Sequence, residues 1–121
     1  METDRVNDKL QQWLDRCALA TGMFGCSIRL PDGVWISHNF NDLCPPTAFD
    51  EILRRLADAL STFSAHGFAP RWLTWTFEKG RLRVARRPDG LLLALASRRD
   101  SAAANNLDLF TEDFLTLDLK S

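Results

Sequence analysis

The chain has 121 residues, 45% of them hydrophobic and 26% charged, which is the composition of an ordinary globular protein with room for one domain. A formal net charge of −1 supplies no global field for nucleic acid or anionic lipid and argues against a nucleic-acid partner. Three cysteines, Cys17, Cys26 and Cys44, stand at wide, unequal spacing, the pattern of reduced thiols in a cytoplasmic protein, two of them in the core. The first residues, with acids and no apolar run, match neither a signal nor a transit peptide, and the longest apolar stretch, Leu91 to Ala96, is too short to span a bilayer.

From about Thr3 to Ala20 the apolar positions Val6, Leu10, Trp13, Leu14, Cys17 and Ala18 fall on one helical face, with Asp8, Lys9, Gln12, Asp15 and Arg16 on the wet side. Gly22 is the expected stop. From Met23 to Leu30 the period changes to two. Phe24, Cys26, Ile28 and Leu30 then share one face, and the small pair Gly25 and Ser27 allows close packing on the other. Pro31-Asp32-Gly33 marks a turn, because proline presets φ and glycine accepts a positive one. A second strand over Val34 to Asn39 completes a hairpin.

After a loop over Phe40 to Pro46, Thr47 is the expected N-cap of a helix, with both prolines ahead of it. Phe49, Ile52, Leu53, Leu56, Leu60 and Phe63 form its apolar stripe, Gly67 closes it, and Glu51, Arg54, Arg55, Asp58, Thr62 and Ala65 form the opposite face. Arg71 to Glu78 alternates, with Leu73, Trp75 and Phe77 on one side and Trp72, Thr74 and Thr76 on the other. A two-residue Lys79-Gly80 turn leads into Arg81 to Arg87, and this pairs Glu78 with Arg81, Phe77 with Leu82, Trp75 with Val84 and Trp72 with Arg87. Pro88-Asp89-Gly90 repeats the earlier turn. Leu91 to Ser97 is apolar on both faces, which predicts a central strand buried on both sides. A last helix starts at the cap pair Asp100-Ser101 and places Ala103, Leu107, Phe110, Phe114 and Leu117 on one face, although its final residues also alternate as an extended segment would.

The candidates for chemistry are weak. His38, Cys44 and His66 have none of the spacings that converge metal ligands, and no metal or other cofactor is expected. Ser37 and His38 are neighbours on a strand, so their side chains point to opposite faces and cannot act as nucleophile and base. Thr21-Gly22-Met23-Phe24-Gly25 lacks the glycine–lysine pair of a phosphate loop. Glu112 and Asp113 fall on the outer face of the last helix, where solvated charge is their simplest role. Arg81, Arg83 and Arg87 share a strand face with Trp72, a combination able to stack a base or hold a phosphate. The net-acidic chain favours a solvated face there, or an acidic protein surface against it.

Three amphipathic helices each need a sheet face, so an α/β domain of α-β-β-α-β-β-β-α order with helices on both faces of a five-stranded sheet satisfies them all. With that order, Gly25-Cys26-Ser27-Ile28-Arg29-Leu30-Pro31-Asp32-Gly33 and Gly80-Arg81-Leu82-Arg83-Val84, followed by Asp89-Gly90-Leu91-Leu92-Leu93-Ala94-Leu95-Ala96, resemble the hairpins and central strand of the Roadblock (dynein light-chain) family, within the profilin-like and longin-like group. The likeness runs over nearly all of the chain, as a single domain over 1–121. One departure is local: Asn105 and Asn106 are followed by Leu107 and Asp108, without the glycine the family often carries there.

The resemblance implies a mostly antiparallel sheet of order 2-1-5-4-3 and a homodimer joined through the third strand and second helix. It also implies a non-enzymatic scaffold or regulator of a small Ras-like GTPase or of a larger complex. Independently of the family, an edge strand rich in Trp72, Leu73 and Trp75 needs a partner for its backbone, and Trp72, Leu73, Thr74, Trp75 and Thr76 are the expected dimer contact. The face Glu51, Arg54, Arg55 and Asp58 is the expected partner surface. Two further readings share this architecture: a secretion-type chaperone holding an extended client, and a profilin-like small-molecule-binding domain. Large side chains expected to point inward, Trp13, Phe49, Phe63 and Trp75, argue for a filled interior over a ligand cavity.

Overall fold

A computed structural model describes the backbone of residues 2–37, 46–67, 71–78 and 80–119, with side chains except at 2–4, 37, 46–50, 52, 53 and 64. The elements run α1 (Glu2–Ala18), β1 (Met23–Arg29), β2 (Trp35–Ser37), α2 (Pro46–Ala65), β3 (Trp72–Phe77), β4 (Gly80–Arg86), β5 (Leu92–Ser97) and α3 (Ser101–Thr116). The five strands form one antiparallel sheet in the order β2-β1-β5-β4-β3. The expected fold class and strand order are therefore correct.

Alternation in the central strand divides the interior into two cores. Leu93 and Leu95 of β5 join Cys26 and Ile28 of β1 beneath Leu10, Trp13, Leu14 and Cys17 of α1 and Leu107 and Phe114 of α3. Leu92, Ala94 and Ala96 point the other way, where Leu82 and Val84 of β4 meet Leu56, Ala57 and Leu60 of α2. All of β5 is buried, as its apolar run on both faces requires. Cys17 and Cys26 lie in the first core as free thiols, and Cys26 Sγ lies 3.5 Å from the Leu14 carbonyl. A hydrogen bond with Cys26, reinforced by burial, holds the Cys17 thiol protonated far above the usual thiol range.

Four expectations are corrected in the described residues. Phe24 does not share a face with Cys26 and Ile28: the β1–β5 register shifts between Met23 and Gly25, and the bulge turns Phe24 into the α2-side core. The β3–β4 hairpin closes on Phe77 opposite Gly80, so each pair moves by two residues. Trp75 thus faces Leu82 instead of Val84, and Trp72 faces Ala85 instead of Arg87. Gly80 lies in β4 instead of in the turn, a buried strand residue whose backbone runs so close to the Ser97 carbonyl that a Cβ could not fit. An even shift keeps every side chain on its expected face.

The third correction is at α2, which starts at Pro46, so Thr47 lies within its first turn and proline takes the position its fixed φ favours. The fourth concerns inward packing. Trp13 is 1% exposed, whereas Phe63 and Trp75 remain 44% and 43% exposed. The side chain of Phe49 lies outside the described residues, as do the ends of the expected β2 and the residues His38 and Cys44.

At α3, Asp100 is the N-cap, its carboxylate accepting the Ala103 N–H at 2.9 Å, and the helix runs to Thr116 before Leu117 turns extended. No described helix is long and apolar enough to cross a membrane.

Candidate interaction surface

β2 and β3 are the two edge strands of the sheet, and β2 is described only over Trp35–Ser37. β3 spans Trp72–Phe77, and its sequence WLTWTF contains neither charge nor proline, the usual devices that discourage edge pairing. Thr74, Trp75 and Thr76 are exposed along it, while Trp72 and Leu73 are half-buried. Trp75 points to the α2 side, the face on which Leu73 and Phe77 also pack. Trp75 is thus an exposed aromatic side chain on an uncharged edge strand.

Trp72 differs from the other expected dimer-contact residues. It packs at the margin of the core under α1 and α3, with the guanidinium groups of Arg71 and Arg83 5.5 and 5.4 Å from its ring centroid. Its aromatic face is already engaged inside the chain. Of the two tryptophans of β3, Trp75 is the one that presents itself to solvent.

The arginine face beside Trp72 is assembled as alternation predicts, but two of its members are held by the fold. Arg83 donates to Asp108 at 2.6 Å and to Thr74 at 3.0 Å, with Thr111 at 3.4 Å. Arg87 pairs with Asp89 at 2.9 Å, donates to the Phe114 carbonyl at 2.7 Å and lies over the Phe114 ring. Each side chain is only 11% exposed. These contacts clamp α3 onto β4. Arg81 lies on the same strand face, half-buried.

The expected partner surface stays together on the outer face of α2, where Glu51, Arg54, Arg55 and Asp58 are all exposed. Arg55 and Glu51 form an exposed pair at 2.8 Å, a spacing of four residues that stabilises the helix by only a few tenths of a kcal/mol. These charges remain accessible to a partner.

Two features escaped the sequence reading. Asp113 accepts the indole N–H of buried Trp13 at 2.6 Å, so it is not simply solvated charge, whereas Glu112 is exposed as expected, 3.5 Å from the exposed Arg71. No local pattern joins positions a hundred residues apart. The other feature is a row across the sheet on the α2 side, in which Trp35 pairs with Arg29, Arg29 with Leu92, and Leu92 with Arg86. A groove of about 240 Å³ opens over this row, beside Ala57, Leu60 and Ser61 of α2. The alternation that sends Arg87 under α3 sends Arg86 here, a consequence legible only once the strand order is known.

Among the described residues, no three His, Cys, Asp or Glu side chains converge on a point. His66 sits exposed after α2, its Nδ1 2.9 Å from the Thr62 carbonyl.

No family model and no curated protein sequence matches this chain, so the similarity to known proteins lies in the fold. Myxococcus xanthus MglB superposes with a TM-score of 0.65 at 10% identity, over 90% of this chain and 94% of that one. The gliding protein MglB of Thermus thermophilus gives 0.67 at 16% identity, over 96% and 87%. A Roadblock/LC7 domain from Streptomyces avermitilis gives 0.58 at 14% identity, over 84% and 91%. The chain has the Roadblock/LC7 fold, as the resemblance of its hairpins implied.

Proposed function

We propose that this chain is a non-enzymatic protein-interaction module of the cytoplasm that pairs with a second copy along β3 and presents α2 to a folded partner, as scaffold or regulator of a small Ras-like GTPase. The observation that carries the proposal is the β3 edge: six uncharged residues with Trp75 open to solvent. Such an edge is a template for uncontrolled pairing unless a partner covers it. An identical strand is the simplest cover, because a two-fold axis supplies the same surface twice. Phe63 of α2 and Trp75 of β3, both exposed, add apolar area for that contact. The fold neighbours supply the direction of the reading: one MglB structure is described as having a tetrameric arrangement, at a TM-score of 0.67 and 16% identity.

A pairing through β3 leaves the charges of α2 available to a third protein. The test is capture of small GTPases, loaded with a GTP analogue or with GDP, on the immobilised chain. Retention that depends on the nucleotide, and falls about tenfold or more with Arg54→Glu and Asp58→Lys together, is the expected result. Capture of unfolded segments in preference to any folded protein would favour the chaperone reading instead.

A further inference from the structure

We propose that the groove between α2 and the sheet is a carboxylate-binding site, in which Arg29 and Arg86 hold an aspartate or glutamate side chain of a protein partner. The backbone alone dictates the arrangement. Arg29 and Arg86 both face Leu92 in register, from opposite sides, so the two arginines point to the same sheet face about 10 Å apart at Cα. Leu92 forms an apolar floor between them, and Ala57, Leu60 and Ser61 of α2 wall the space.

Charge decides what this space accepts. Arg83, Arg87, Arg71, Arg55 and Arg98 each have a carboxylate within 4 Å; Arg29 and Arg86, like Arg5, Arg16, Arg54, Arg81 and Arg99, have none among the described residues, but only these two share the groove. The Arg29 guanidinium lies 5.7 Å from the Trp35 ring centroid, a stacking contact that orients it and leaves its edge donors to a ligand. Arg86 is exposed, and its neighbour Arg87, on the opposite face, is the one that is neutralised. Two guanidinium groups flanking one apolar floor match the two oxygens of a carboxylate.

Size decides between a metabolite and a side chain. Small-molecule pockets enclose roughly 300 to 1,000 Å³, and this groove offers about 240 Å³. It accommodates the end of one acidic side chain more naturally than a whole cofactor. Its wall belongs to the same helix whose outer charges form the proposed partner surface, so a protein seated on α2 could place an acid there. The inference rests on the reading of the chain as a protein-binding module.

The test is a titration of the full-length ¹⁵N-labelled chain, at low ionic strength, with a peptide of alternating glutamate and glycine, with its glutamine counterpart and with inorganic phosphate. The arginine Nε–Hε resonances report on each guanidinium. Saturable shifts of Arg29 and Arg86 with the glutamate peptide, and none with the glutamine peptide, are expected, while Arg16 and Arg99 move little. Arg86→Gln and Arg29→Gln should each lower the affinity about tenfold, the lower end for a charge-assisted hydrogen bond. Equal shifts at every exposed arginine, or an affinity indifferent to Arg86→Gln, overturn the proposal. A response to phosphate with none to the glutamate peptide also overturns it, by assigning the groove to a small anion. Sedimentation of the same samples keeps the two claims separate: a strict monomer refutes the β3 pairing and leaves the peptide result unaffected.

Discussion

Replacing Asp113 by alanine tests whether α3 is tied to α1 through the core. The Trp13 side chain is 1% exposed, and its indole N–H has Asp113 Oδ2 as acceptor at 2.6 Å. Removing that acceptor leaves a buried donor, a loss of about 1–3 kcal/mol. Asp113 is itself exposed, so water entering its place recovers part of this, and the expected loss is about 1.5 kcal/mol. That is a sizeable fraction of the roughly 5–15 kcal/mol that keeps a domain folded. Urea unfolding followed by tryptophan fluorescence and far-UV circular dichroism gives the difference, and a double-mutant cycle with Trp13→Phe isolates the bond. The cycle is needed because Trp13 also packs on Phe110 and Phe114, with ring centroids 5.8 and 5.6 Å away. Asp113→Asn keeps an acceptor and should restore most of the stability. An Asp113→Ala protein within about 0.5 kcal/mol of the parent, or a coupling near zero, would refute the reasoning.

Further outcomes follow from the same geometry. Gly80→Ala should cost about 2 kcal/mol in the same unfolding experiment, because its Cβ would run into the Ser97 carbonyl and come within 2.9 Å of Phe24. A cost below about 0.5 kcal/mol would mean that β4 and β5 separate easily there. Arg87→Met should destabilise by about 1–2 kcal/mol through loss of the Phe114 carbonyl and Asp89 contacts, and unchanged stability would show that the clamp on α3 contributes nothing. The Ala103 N–H, helped by Arg98, holds the Asp100 carboxyl below its usual value of 3.8. Its contribution is therefore present above that unfolded value and is lost as pH falls through the lower folded one. The stability difference between the parent and Asp100→Asn should shrink on acidification, and a constant difference would contradict the cap.

Periodicity was enough to place most of this fold. The change from a 3.6-residue to a two-residue period after Gly22, the two Pro-Asp-Gly turns and the doubly apolar β5 identify the elements and the central strand. What periodicity misses is set by contacts between distant segments. The bulge before Gly25 exchanges the face of Phe24, and Gly80, close against Ser97 of the neighbouring strand, belongs to β4, so the hairpin register lies two residues from the one that charge matching at Glu78 and Arg81 suggested. Phe63 continues the stripe of Leu56 and Leu60 yet ends exposed, because a helical stripe predicts which side a residue faces but not how far the sheet beneath it extends. The aromatic character of β3 was legible in the sequence. That Trp72 is held between arginines while Trp75 is open follows only from the hairpin's place at the sheet edge.

Sedimentation equilibrium at micromolar concentration, for the chain beside its Trp75→Glu variant, is the most direct test of pairing through β3. The parent should sediment at twice its 13.7 kDa chain mass, and the variant, with an unchanged circular dichroism spectrum, at the single mass. A monomeric parent, or a dimer of unchanged affinity with glutamate at position 75, would contradict a homodimer built on this strand.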